Sequence, residues 1–172
     1  MTKRIPAIPT KYNGITFRSK LEAKYAKAFD SLNIPWIYEN VGFEFDDGTC
    51  YCPDFYLPDT GQYFEVKGLM TDIDLLKIHK LAESGENVIV GDSQGNLDYY
   101  VYGESWLGGS HVSKLKTYLA RCHSCGHLYF QGEEGGWVCE HCNEYDGDAR
   151  DVLYTNELPF SQRSFFDLVQ WK

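Results

Sequence analysis

Apolar and polar positions along this chain alternate with a spacing that changes several times, and each change predicts a different element. From Leu21 to Leu32 apolar residues recur at helical spacing. This stretch follows Ser19, which opens a Ser-x-x-Glu capping box. We therefore expect a helix that begins at Ser19 and ends near Asn33, before a proline.

Short apolar runs follow, of the length and composition that favour strands. Strands are predicted at 36–45, 49–57, 62–68, 87–91 and 96–102, and a second helix between a Thr71 cap and Gly85. The run at 87–91 is apolar throughout, which is typical of a buried parallel strand. The order of helix, three strands, helix and strand predicts an α/β fold.

The second and third strands are joined by a Pro-Asp-Thr-Gly turn, which predicts a hairpin. Alternation along the third strand places Glu65 and Lys67 on one face, with Phe64 and Val66 on the other face, toward the core. Asp54 lies opposite Glu65 if the register of the hairpin allows it.

Two carboxylates on adjacent strands, beside an ammonium group, suit a hard divalent cation such as Mg²⁺. A cation held by Asp54 and Glu65 can activate a water molecule, which Lys67 would orient. The alternative is a Glu-x-Lys pair on a solvated face. Glu39, on the first strand, could approach the same site or lie in solvent.

These residues resemble a known family. Pro53-Asp54 and Glu65-Val66-Lys67 match the motif of the PD-(D/E)xK nuclease superfamily, and residues 18–23 resemble its first-helix motif. Tyr51, Phe55 and Gly68 also match small phage and bacterial members. The resemblance covers roughly residues 12–102.

The resemblance implies a restriction-endonuclease-like αβββαβ core at 14–103. It also implies a Mg²⁺- or Mn²⁺-dependent deoxyribonuclease, and one option is an endonuclease with a resolvase-like preference for branched DNA. Asp54, Glu65 and the Val66 carbonyl would hold the metal, Lys67 would position the water, and Glu22 would tune the metal or hold a second one. Glu22 could instead serve only as a capping partner. A non-catalytic nucleic-acid- or protein-binding adaptor and an RNA-directed nuclease remain alternatives.

Charge is distributed unevenly. The net charge is −9, yet residues 1–27 carry +6 and the remainder −15. This distribution predicts a local basic surface for DNA that includes an extended arm at 1–13, although a solubilising N-terminus would look the same. The candidate DNA contacts are Lys11, Arg18, Lys20, Lys77, Lys114 and Lys116.

Four cysteines form two Cys-x₂-Cys pairs, at Cys122 and Cys125 and at Cys139 and Cys142, a spacing typical of structural Zn²⁺. A zinc ribbon is predicted at 111–149, after a Gly- and Ser-containing break at 103–110. Disulfides are the alternative. The ribbon could bind nucleic acid, dock a protein or only stabilise the chain.

Details of the ribbon and of the remaining cysteines can also be predicted. Tyr129-Phe130 should pair with Trp137-Val138, and the nearby His123, His127 and His141 could substitute for a cysteine ligand. Cys50 and Cys52 are expected to be buried thiols because a disulfide between residues two apart on a strand is unfavourable.

The tail at 150–172 is predicted to hold an amphipathic helix that packs on the body or binds a partner, including a second copy of the chain. No apolar run reaches the length of a membrane span, and the first residues lack a secretory signal. We therefore expect no membrane partner and a cytoplasmic protein, in the host cytoplasm if the gene belongs to a phage.

Overall fold

The computed structural model describes residues 6–104, 109–147, 151–156 and 163–171. In these ranges the chain is mixed α/β, with two α-helices and a sheet of eight strands. The elements are β1 (Thr10–Tyr12), β2 (Ile15–Phe17), α1 (Lys20–Leu32), β3 (Ile37–Tyr38), β4 (Phe43–Glu44), β5 (Cys50–Tyr51), β6 (Phe55–Leu57), β7 (Gln62–Lys67), α2 (Asp72–Glu83), β8 (Val88–Asp92), β9 (Leu97–Glu104), β10 (Ser110–Arg121), β11 (Leu128–Gly132), β12 (Asp151–Thr155) and a 3₁₀ turn (Phe165–Leu168).

The large sheet has the order β11-β10-β9-β8-β7-β6-β3, and β12 also pairs with β10. Adjacent strands in this sheet are antiparallel, except for β7 and β8, which are parallel and are connected by α2. The predicted parallel strand is therefore confirmed. β10 pairs with β9 along its first half and with β11 along its second, so strands on both sides of the predicted break at 103–110 belong to one sheet.

Both predicted helices are confirmed, together with their caps. The Ser19 hydroxyl accepts a hydrogen bond from the Glu22 N–H, and α1 ends at Asn33 in the left-handed conformation. Thr71 and Asp74 form a complete capping box at the start of α2. Local sequence therefore sets both helix beginnings.

Aromatic residues join α1 to the sheet. Tyr25 and Phe29 on the helix pack against Phe64 of β7 and Phe165 of the C-terminal turn, and all four side chains are fully buried. Because Gly91 on β8 has no side chain, the Tyr25 ring can lie directly on this strand. Packing of this density fixes α1 beside the β6–β7 hairpin.

Two of the predicted strands are interrupted. The run predicted at 36–45 divides into β3 and β4 because Glu39 adopts a positive φ of 47°, which an extended strand does not allow. The run at 49–57 divides into β5 and β6, and β4 and β5 form a small sheet of their own. An Asp-Asp-Gly turn at 46–48 joins these two strands.

The pairing predicted within the ribbon is wrong. Tyr129 and Phe130 belong to β11 and pair with β10, whereas Val138 forms an isolated bridge with Tyr145. Cys50 is exposed and Cys52 partly exposed, so the prediction of two buried thiols is also wrong.

The tail packs on the body, which is one of the two arrangements predicted for it. Phe165 and Phe166 lie in the core and form the 3₁₀ turn, and part of the predicted amphipathic helix lies outside the described residues. Within the described ranges, no helix has the length and apolar character needed to cross a bilayer.

We predict that Gly91→Ala destabilises the fold by about 1–3 kcal/mol, because the new methyl would meet the Tyr25 and Phe64 rings in a filled core. Gly103→Ala is the matched control, since a methyl there meets nothing within 4 Å. Urea unfolding of both variants measures the difference. Equal stability of the two would contradict the close contact between α1 and β8.

Candidate functional site

The register of the β6–β7 hairpin brings the two predicted metal-binding carboxylates together. Phe55 pairs with Phe64, so Asp54, one residue earlier, lies opposite Glu65. The Glu65 carboxylate accepts hydrogen bonds from the Asp54 N–H at 3.2 Å and from the Tyr51 hydroxyl at 2.8 Å. Both side chains are buried, Asp54 being 3% and Glu65 2% exposed.

Asp54 also contacts Val66 and Arg18. Its Oδ2 accepts from the Val66 N–H at 2.7 Å, and its Oδ1 accepts from the Arg18 guanidinium at 2.6 Å. In an extended strand the N–H and C=O of one residue point to the same edge. The Val66 carbonyl therefore points toward Asp54, as its predicted role as a metal ligand requires.

Lys67 lies between two carboxylates. Its Nζ is 2.7 Å from Glu65 Oε1 and 3.0 Å from Asp74 Oδ1. Sequence reasoning did not identify Asp74 as a site residue because its position in the Thr71 cap already explained it. The feature that could have identified it is an acidic residue near the start of a helix that closely follows Lys67. The ammonium group is thus held beside the carboxylate pair.

Glu22 is buried next to this site and also takes part in the cap of α1. Its carboxylate accepts hydrogen bonds from the Ser19 hydroxyl at 2.7 Å, the Tyr38 hydroxyl at 2.6 Å and the Arg18 N–H at 3.1 Å. Arg18 also forms an ion pair with Glu39, at 3.0 Å. Arg18 therefore lies between Glu22 and Asp54 and contacts both. The Glu22 carboxylate belongs both to the cap of α1 and to the site.

Negative charge dominates the site. Burial raises the pKa of Asp54 well above its usual range, and the neighbouring Glu65 and Glu22 raise it further. Burial lowers the pKa of Lys67, but the adjacent Glu65 and Asp74 outweigh it and raise the pKa overall. Buried carboxylates thus outnumber the cationic groups that contact them, and their oxygens suit a hard divalent cation.

The six predicted DNA contacts lie in different environments. Arg18 contacts the site, Lys11 and Lys20 are exposed near it in sequence, and Lys77 is half-buried on α2. Two others form ion pairs within the sheet region, Lys114 with Asp98 and Lys116 with Glu133.

A second cluster contains the four predicted zinc ligands, whose sulfur atoms all lie within 4.8 Å of one another. Cys122 and Cys142 are 3.6 Å apart, and Cys125 and Cys139 are 3.7 Å apart, measured between Sγ atoms. Thiolates about 2.3 Å from a tetrahedral Zn²⁺ lie about 3.8 Å apart. The cluster is therefore compatible with zinc.

The backbone forms the same turn in each of the two Cys-x₂-Cys pairs of this cluster. The N–H of Gly126 donates to the Cys122 carbonyl, and the N–H of Asn143 donates to the Cys139 carbonyl. Both Gly126 and Asn143 have positive φ, so each knuckle closes with the same turn. Burial raises the pKa of Cys125, but the His127 backbone N–H and Cys142 lower it to about 6 overall, whereas burial raises the pKa of Cys122 and of Cys139.

No family model matches this chain, and neither a curated protein nor a solved structure matches it.

We predict that Asp54→Asn stabilises the protein at pH 8 without added Mg²⁺, by a few degrees in Tm. The folded pKa of Asp54 lies above the value of about 3.9 for an unfolded chain, so folding stability falls as pH rises through the folded pKa. The variant avoids this loss of stability, and the difference in Tm between the variant and the wild type should shrink toward pH 5. Thermal unfolding across this range measures it.

Asp47→Asn is the control, because Lys80 and Thr49 lower the pKa of Asp47 to about 2 at the surface. This variant should gain no stability at pH 8. An Asp54→Asn protein that is less stable than the wild type at pH 8 would contradict the assigned direction.

We predict that Cys139→Ser removes the zinc bound by the cysteine cluster and lowers the unfolding temperature, because a structural site contributes directly to folding. Cys50→Ser, at an exposed cysteine outside the cluster, should retain that zinc. Elemental analysis of the purified variants distinguishes them, and equal zinc in both would contradict a four-cysteine site.

Proposed function

We propose that the chain is a Mg²⁺-dependent endodeoxyribonuclease, which hydrolyses phosphodiester bonds in DNA. The observation that carries the proposal is the buried pair of Asp54 and Glu65 with Lys67 beside it. Buried carboxylates are costly to a fold unless they are fully paired. Here they converge in excess of the available positive charge, and clusters of this kind mark functional sites.

The arrangement of elements supports the same proposal. α1 is followed by the antiparallel strands β3, β6 and β7, then by α2, and then by β8 parallel to β7. This is the αβββαβ order implied by the resemblance to PD-(D/E)xK nucleases, with the β4–β5 hairpin as an addition between β3 and β6. Glu65 lies on β7 and Asp54 immediately precedes β6, which supports the comparison with that motif.

Bound Mg²⁺ would supply an activated water and would offset charge on the phosphodiester. Asp54 and Glu65 would hold the cation, with the Val66 carbonyl as a third oxygen ligand. Lys67 Nζ would orient the attacking water and stabilise developing negative charge. Asp74 would hold this ammonium group in place, since it contacts the same Nζ.

Arg18 would serve as the counter-ion of the metal-free site. Its side chain is 56% exposed, whereas its partner Asp54 is almost fully buried. A guanidinium at the rim of the site can leave the carboxylate when a cation binds and can then contact a phosphate oxygen. Glu22 and Glu39 would keep the guanidinium near the site in either state.

The cysteine cluster would hold a structural Zn²⁺, because its four thiolates leave no coordination position open. We propose that 111–149 is a zinc ribbon whose strands β10 and β11 belong to the same sheet as the nuclease site. Its first contribution would be to the rigidity of that sheet.

The proposed function predicts that the wild type cleaves DNA only when Mg²⁺ or Mn²⁺ is added. Supercoiled, linear, single-stranded and four-way-junction DNA should be compared. We expect Lys67→Ala and Asp54→Ala to lower the cleavage rate at least about 100-fold, because each removes a group that stabilises developing charge or holds the metal.

Lys80→Ala is the matched control. Lys80 is a lysine of similar exposure, 19% against 25% for the Lys67 side chain, and also pairs with an aspartate, yet it lies outside the site. It should cleave like the wild type. Binding of DNA without cleavage of any substrate would favour the adaptor instead, and cleavage confined to RNA would make the chain a ribonuclease.

A further inference from the structure

A third group of possible metal ligands lies where the β6–β7 hairpin meets the cysteine cluster. Asp59 belongs to the turn of that hairpin, whereas His127 and His141 belong to the two cysteine knuckles. One ligand atom from each of the three side chains lies within 4.8 Å of the other two. The chain brings them together from positions that are far apart in sequence.

Neither of the sites described above uses these three side chains as metal ligands, although the His127 side chain forms a hydrogen bond with Cys125. The four thiolates complete a zinc shell without a histidine, and the nuclease carboxylates lie at the other end of the hairpin strands. His123, the remaining histidine of the knuckles, has a partner of its own in Asp146. Asp59, His127 and His141 therefore form a separate group.

Hydrogen bonds among these three side chains do not explain their convergence. The imidazole rings of His127 and His141 are stacked, with centroids 3.6 Å apart and planes inclined by 19°. The Nδ1 of His127 is buried without a hydrogen-bond partner among the described residues. A buried polar atom without a partner calls for an explanation, and a bound ion is one.

We propose that Asp59, His127 and His141 bind a second divalent transition-metal ion, Zn²⁺ or a close chemical equivalent. Imidazole nitrogens with one carboxylate oxygen suit this class of metal, whereas Mg²⁺ prefers oxygen ligands alone. Ligands of a tetrahedral zinc lie about 3.4 Å apart, and an imidazole binds through a lone pair in its ring plane, so binding of the ion would turn the two stacked rings apart. His141 is exposed, which leaves a fourth position for water.

A cation at this place would join the ribbon to the hairpin that carries Asp54 and Glu65. Gln62, at the start of β7, already donates a hydrogen bond to the Phe130 carbonyl of β11 at 3.1 Å. The proposed ion would add a second, stronger link at the turn of the hairpin. This site stands independently of the nuclease proposal, because it rests on other side chains.

The test uses the full chain with zinc bound at the cysteine cluster, titrated with Co²⁺. Cobalt bound by histidine shifts the imidazole N–H resonances in the proton NMR spectrum, and without thiolate ligands it gives no sulfur charge-transfer absorption. We expect the wild type to bind one further equivalent with both properties, separate from Co²⁺ held by Asp54 and Glu65. Asp59→Asn and His141→Ala should each lose this equivalent and keep their zinc.

Two controls make the outcomes decisive. His111→Ala, at an exposed histidine on β10, should bind Co²⁺ like the wild type. Asp54→Asn, in the carboxylate site, should also retain the histidine-shifted resonances. Absence of shifted resonances in the wild type, or their persistence in both Asp59→Asn and His141→Ala, would overturn the proposal. Loss of the equivalent only in Asp54→Asn would assign it to the carboxylates and would overturn it equally.

Discussion

Pairing of β6 with β7 forces two carboxylates into the same buried space. Once Phe55 lies opposite Phe64, Asp54 and Glu65 have no separate positions available, and only the groups around them can offset their repulsion. The protein supplies a hydroxyl, two backbone N–H groups, a guanidinium and an ammonium group. These partners make the pair tolerable in the absence of metal, and they leave a raised pKa at Asp54 as the remaining cost.

The rest of the architecture can be understood as support for this hairpin. α1 packs its aromatic face on β7 and β8 and places Glu22, together with Arg18 just before the helix cap, on one side of the carboxylates. α2 begins soon after β7 and delivers Asp74 to the other side, where it contacts Lys67. The C-terminal turn closes the same core through Phe165. Three segments far apart in sequence thus fix one small group of charges, which is the preorganisation that a metal-dependent reaction needs.

Sequence predicted those features that depend on local chemistry. Ser19 and Thr71 mark the helix starts, and the turn residues place Asp54 opposite Glu65, because caps and turns involve only a few neighbouring residues. It failed where distant packing decides. The strand breaks at Glu39, and this residue forms an ion pair with Arg18. β11 pairs with β10 rather than with the predicted Trp137-Val138 segment. Asp74 escaped notice because its capping role accounted for it completely when the chain was considered alone.

The structure also changes the interpretation of the basic N-terminal region. Some of its charges are used within the fold, since Lys24 lies 3.5 Å from the centroid of the Phe166 ring and Lys27 lies over the Tyr12 ring. Lys11 and Lys20 remain exposed, and Lys20 begins the helix that follows Arg18. Arg18 differs from both lysines, because its guanidinium pairs with the buried Asp54 while its own side chain is 56% exposed. Under the proposed function, this guanidinium would therefore be the group able to contact a phosphate beside the carboxylates.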